Sequence, residues 1–214
     1  MRNRFDSQLE TLNNKMIEMG SMCEEIIALV AKALSTGDPT YSERISSLEN
    51  DIDHMERDIE SLCLRLLLQQ QPVAKDLRQI SAALKMITDM ERIGDQAADI
   101  SEFIRYLDER AKDDCKYIYL MAEASIKMVS DSVEAFVKKD LSLARSAIAY
   151  DDIIDDYFRK VKAAIIGLIE QKSGSGEYLL DLLMVGKYFE RIGDHAVNIA
   201  EWVVFSVTGV HKGD

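Results

Sequence analysis

Residues 89–102 read DMERIGDQAADISE, and residues 188–201 read YFERIGDHAVNIAE. Glu-Arg-Ile-Gly-Asp recurs unchanged, and Ala97, Ile100 and Glu102 return as Ala196, Ile199 and Glu201, all at an offset of 99 residues (Glu91 to Glu190). Upstream the repeat is weaker. Glu49, Ile52 and Asp53 return as Asp151, Ile154 and Asp155, and Gly37-Asp38 returns as Lys139-Asp140, at an offset of 102 (Glu49 to Asp151). The drop from 102 to 99 places a length difference of three residues between those points, with 69–75 and 171–177 as its natural location. A chain that repeats itself in this way contains one structural unit twice.

Each unit divides into three helices. In 214 residues there are two prolines and ten glycines, and good helix formers dominate. The expected spans are 5–36, 40–70 and 75–106, then 112–138, 141–171 and 177–208. Thr36-Gly37-Asp38-Pro39 and Gln69-Gln70-Gln71-Pro72 are stop signals, and Ser173-Gly174-Ser175-Gly176 is the most flexible joint. Leu9, Leu12, Met16, Met19 and Cys23 follow steps of three and four, as do Ile118, Met121, Ser125, Met128 and Ser132, which marks core-facing stripes. The methionines read as core filling rather than a promiscuous binding surface. Short connections make consecutive helices antiparallel. The fold class is all-α: two tandem antiparallel three-helix bundles, side by side or end to end, over 1–108 and 109–214. A single continuous six-helix bundle is the alternative.

Composition bounds function. The formal net charge is −12 and no basic run occurs, which argues against nucleic-acid binding and against a site for free phosphate. Cys23, Cys63 and Cys115 are far apart, odd in number and set in apolar helical contexts, so they read as buried free thiols of a reduced cytosol. Charges return too early for a secretory signal, and no apolar run approaches the roughly 20 residues of a membrane span. A cytoplasmic location is expected.

The repeated motif also concentrates acids. At about 100° per residue, Glu91, Asp95, Asp99 and Glu102 fall at about 0°, 40°, 80° and 20°, one narrow arc, with Ile93, Ala97, Ile100 and Ile104 opposite. Glu190, Asp194, Asn198 and Glu201 occupy the same positions in the second half. Glu49, Asp53, Glu56 and Glu60 share an arc of the second helix, and Asp151 and Asp155 form its shorter counterpart. Like charges four apart destabilise a helix by a few tenths of a kcal/mol per pair. For one such pair an acidic solvated face is the plainer reading. Duplication at matched places favours a multivalent cation held between facing helices, and oxygen ligands suit Mg²⁺, Mn²⁺, Ca²⁺ or Fe. Gly94 and Gly193 lie mid-helix, where glycine costs about 1 kcal/mol relative to alanine, so a close helix crossing is expected at each. Arg92 and Arg191 read as surface ion-pair partners. His195 reads as a core or surface histidine, since Gln96 stands at its place in the first half, and no Glu-x-x-His of the di-iron kind occurs.

The twofold ERIGD with its following alanine, its Asn or Asp and its closing Glu resembles the signature of the PhoU family. The segment Gln70-Gln71-Pro72-Val73-Ala74-Lys75-Asp76-Leu77-Arg78 and the N-terminal Arg2-Asn3-Arg4-Phe5 are similar as well. The resemblance covers nearly the whole chain. It implies paired three-helix bundles that bind iron, zinc, magnesium or manganese through E/DxxxD pairs. It also implies repression of the phosphate-starvation response when phosphate is plentiful, by linking the ATPase subunit of a phosphate ABC transporter to a sensor histidine kinase. Membrane association would come through those partners alone, and a homodimer is possible. Carried over by position, the metal ligands are Glu91, Asp95, Glu190 and Asp194, faced by Glu49, Asp53, Asp151 and Asp155. Asp99 and Asn198 extend the set, and Asp99 makes the first site the more acidic. Glycine and serine at 173–176, where relatives often carry a charged helix start, suggest a later start for the sixth helix.

No nucleophile–base pair, phosphate-cradling loop or nucleotide fingerprint is recognisable, so the expected role is a non-enzymatic signalling adaptor. The competing readings are a metal-dependent enzyme such as a phosphatase, and a metal-storage or structural helical protein.

Overall fold

The computed structural model describes residues 2–38, 40–69, 73–107 and 116–210. Within them lie six helices: α1 (Arg2–Thr36), α2 (Thr40–Gln69), α3 (Ala74–Ile104), α4 (Lys116–Lys138), α5 (Leu141–Glu170) and α6 (Gly176–Thr208). No strand occurs among the described residues. Cys115, Pro39, Pro72 and the expected boundary at 108/109 lie outside them, as does the stretch in which the fourth helix was expected to start.

The turns explain where the helices stop. Gly37 takes a left-handed φ of 64° and returns its N–H to the Ala33 carbonyl at 2.8 Å, closing α1. Asp38 Oδ1 then accepts the Thr40 N–H at 2.9 Å, opening α2. The second half repeats the device with a lysine: Lys139 has φ 57°, and Asp140 caps α5 by accepting from Ser142 N and Leu143 N at 2.9 and 3.0 Å. Ser175 caps α6 through the Tyr178 N–H. Placed on the repeat, α6 starts where residue 77 would stand in the first half, against residue 74 for α3. The three-residue difference is therefore taken from the start of α6.

The two bundles lie side by side. Within each, the three helices pack on one another; between them, α3 runs along α6 more extensively than any other pair meets, and α1 packs on α4. The order of layers is α2, then α1 with α3, then α4 with α6, then α5. One apolar core runs through all four layers, from Leu12, Met16 and Ile52 to Phe136, Ile154 and Phe189. Six of the methionines are fully buried, in keeping with core filling. Cys23 and Cys63 are buried free thiols, and burial pushes each up to about 12.

Both motif glycines lie at helix crossings. A Cβ on Gly94 would stand 3.2 Å from Ile52 Cδ1, and one on Gly193 would stand 2.9 Å from Ile154 Cδ1 and 3.1 Å from Asp151 Oδ1. Gly167, inside α5, meets nothing within 4 Å. Gly193→Val is therefore expected to destabilise the protein by about 1–3 kcal/mol through overpacking, whereas Gly167→Ala should stabilise it by up to about 1 kcal/mol. Urea unfolding of the two variants beside the parent measures both; equal effects would contradict the crossing.

Candidate metal centres

The outer helices α2 and α5 turn their acidic arcs toward α3 and α6. Because Ile52 rests on the bare backbone at Gly94, the carboxylates around that point are brought close. One oxygen each from Glu49, Asp53 and Asp95 lie within 4.8 Å of one another. Among the described residues this is the one trio of His, Cys, Asp or Glu whose ligand atoms are gathered so tightly. Glu91 stands beside it. Its Oε2 is buried without a hydrogen-bond partner, and the nearest cation, Arg92 Nε, is 3.4 Å away.

The electrostatics register the crowding. Burial, and then the neighbouring Asp53 and Asp95, raise the Glu49 carboxyl above its ordinary value. Burial followed by Asp95 raises Glu91, against the pull of Arg92. Glu56 is raised by burial and by Glu60 and Asp53, so it belongs to the same charged wall. Compensation comes from the rim: Arg92 Nη1 donates to Asp95 Oδ2 at 2.8 Å, and Arg57 Nη2 donates to Asp53 Oδ2 at 3.2 Å. Both guanidinium groups are more than half exposed, and such pairs contribute about 0–1 kcal/mol.

In the second half, Asp151 and Asp155 on α5 face Glu190 and Asp194 on α6, more loosely than the trio of the first half. Burial, then Asp155, Asp194 and Glu190, push Asp151 up to about 6. Asp194 is raised by burial and by Glu190, with Lys187 and His195 opposing. Lys187 is ion-paired with Glu190.

Two expected ligands are drawn elsewhere. Asp99 bonds the Tyr188 hydroxyl of α6, and Asn198 Nδ2 donates to Asp89 Oδ1 of α3 at 3.0 Å. Both therefore sit in the seam between the bundles. Each position along the stripe advances about 40°, so its far end has rotated from the outer helix to the inner one. Asp89, which the sequence reading passed over, also meets His195 Nδ1 at 2.9 Å. Its repeat equivalent, Tyr188, packs its ring on Phe103 with centroids 5.8 Å apart. The signal was available: Asp89 and Tyr188 open the two copies of the repeat. Arg92 pairs within its own helix, as an exposed ion-pair partner was expected to do.

Two stretches of the chain, residues 16–104 and 118–203, match the PhoU domain. The chain belongs to the PhoU family. It is 35% identical to the phosphate-specific transport system accessory protein PhoU homolog of Clostridium acetobutylicum, over 97% of this chain and 96% of the relative. The homolog of Pseudomonas aeruginosa is 30% identical, over 96% of this chain and 86% of the relative. The crystal structure of PhoU from Pseudomonas aeruginosa superposes with a TM-score of 0.86 at 28% identity, covering 96% of this chain and all of that one. The phosphate transport system regulatory protein PhoU from Streptococcus pneumoniae gives a TM-score of 0.89 at 28% identity, covering 98% and 100%. One matched stretch falls within α1–α3 and the other within α4–α6.

Crowded acids make the metal-free protein sensitive to pH. The ordinary aspartate value is 3.8 and that of folded Asp151 is about 6. The stability held by the protonated carboxyl is thus fully present below 3.8 and lost as pH rises through about 6. After allowance for solvent screening, Asp151→Asn should stabilise chelator-treated protein at neutral pH by about 1 kcal/mol and flatten that decline. Urea unfolding across this range tests it; a variant as pH-dependent as the parent would contradict the assignment.

Proposed function

We propose that this chain is a non-enzymatic regulator of phosphate homeostasis. In this reading it couples a phosphate ABC transporter, through its ATPase subunit, to a sensor histidine kinase, and represses the phosphate-starvation response while phosphate is sufficient. The observation that carries the reading is the PhoU domain matched twice along a chain whose relatives are named accessory proteins of the phosphate-specific transport system. The protein acts in the cytoplasm and reaches the membrane through its partners; no helix among the described residues is long and apolar enough to cross one. Exposed apolar side chains, among them Leu68, Val73, Ile169 and Leu180, offer partners or a second copy a contact surface where α2 meets α3 and α5 meets α6.

The carboxylate walls fit a resident cation. The buried Glu91 Oε2, which accepts no hydrogen bond, and the gathered oxygens of Glu49, Asp53 and Asp95 make a donor set of oxygens alone. Such a set suits Mg²⁺, Mn²⁺ or Fe better than the nitrogen and sulfur surroundings common for Zn²⁺. Glu49, Asp53, Glu91 and Asp95 would hold it in the first half, and Asp151, Asp155, Glu190 and Asp194 in the second. A bound ion would neutralise the repulsion between the outer and inner helices and so tie α2 to α3 and α5 to α6. The protein's own part is to hold the acids together through the glycine crossings and to bury one oxygen of Glu91.

Changing Glu91 and Asp95 together to Ala is expected to lower the metal content of protein purified without chelator. Unchanged content would remove these two as ligands. Deleting the gene should release phosphate-responsive genes from repression at high phosphate, measured with a reporter; continued repression would overturn the regulatory reading.

A further inference from the structure

Lys75 from the first turn of α3, Lys139 from the turn between α4 and α5, and Ser206 from the end of α6 meet at a pocket of about 140 Å³, completed by Gln79 and Val207. It lies away from the carboxylate walls and plays no part in the functions above. Its composition is unusual for a chain of net charge −12.

Lys139 is held there against its backbone preference. Its φ of 57° is left-handed, and the equivalent residue of the first half is Gly37, with φ 64°. A side chain in that conformation costs roughly 1 kcal/mol, a cost that glycine avoids. The first half shows that glycine makes the same turn. Two lysines line the same small pocket. Burial and then Lys75 press Lys139 below the ordinary lysine range, while Asp76 pulls the other way. Gln79, 3% exposed, and Ser206, 8% exposed, form a buried polar floor, and Lys75 and Lys139 stand exposed at its rim. Gln79 is anchored by donating Nε2 to Asn13 Oδ1 at 3.2 Å. The positive end of α3 has no side-chain cap, which adds to the local potential.

The first half provides the contrast. There the pocket of about 270 Å³ beside Gly37 contains Asp38 along with Arg105, and Arg105 donates to Ser42 Oγ at 2.7 Å. Its single cation is already engaged. The excess of positive charge belongs to the second pocket alone of these two.

We propose that the pocket formed by Lys75, Gln79, Lys139 and Ser206 binds a free tetrahedral oxyanion of the phosphate type. The two lysines supply charge-assisted hydrogen bonds, and Ser206 and Gln79 supply neutral ones. The volume suits a free oxyanion rather than the same group carried on a nucleoside. Binding here is independent of the regulatory role proposed above, and the test is a direct binding measurement.

Inorganic phosphate titrated into the full chain by isothermal calorimetry, at constant ionic strength, should give a saturable isotherm. Lys139→Gly restores the residue found in the first half, so it should fold at least as well as the parent while weakening phosphate by about tenfold or more. Lys75→Gln should weaken it similarly. The double change of Glu91 and Asp95 to Ala should keep the parent's affinity, because the anion is not held through a bound metal. AMP should bind more weakly than phosphate. The proposal is overturned by an absence of saturable binding, by undiminished affinity in Lys139→Gly, by loss of binding in the carboxylate variant, or by AMP binding as tightly as phosphate.

Discussion

The contact on which the acidic walls depend is an isoleucine seated on a bare glycine. Ile52 on Gly94 and Ile154 on Gly193 bring an outer helix against an inner one at a separation that a larger residue would widen. Apolar packing thereby fixes the distance between groups that repel one another. If the helices moved apart, water would enter between the carboxylates and their ionisation would return toward ordinary values. The desolvation that leads the causes at Glu49, Glu91, Asp151 and Asp194 is thus a consequence of two missing methyl groups.

The two copies have diverged in how they handle that repulsion. The first gathers three carboxylates tightly and answers them with exposed guanidinium groups on its edge. The second answers Glu190 with Lys187 from the same helix, and His195 lowers the charge felt by Asp194. A shared fold therefore presents two walls of different charge density. Substitutions in one half need not be matched by the same change in the other.

Much of this was legible in the sequence because it is local. Helix ends follow from Gly37, Asp140 and Ser175, which act within a few residues of themselves. The core stripes follow from spacing, and the buried cysteines from apolar surroundings. The glycine crossings were legible because an unfavourable residue occurs twice at one place. What escaped depends on the neighbours of a helix rather than on its own axis. A projection of α3 alone places Asp99 with Glu91, yet it cannot show that α6 receives one end of the stripe while α2 receives the other. The meeting of Asp89 with His195 and Asn198 spans more than 100 residues. The pocket at Lys139 draws on three distant segments, so a search for basic runs passes over it.

The seam between the bundles carries polar contacts at two levels, Asp89 with His195 and Asn198 at the middle of α3 and Asp99 with Tyr188 nearer its C-terminal end. Smooth apolar surfaces on two long antiparallel helices would permit slippage by a turn, about 5.4 Å, with little change in buried area. These polar contacts act as dowels. Any slip would strand several of them at once in a half-dry joint. The halves are consequently indexed to one another, and a force applied to one is delivered to its twin as rigid displacement rather than lost in sliding.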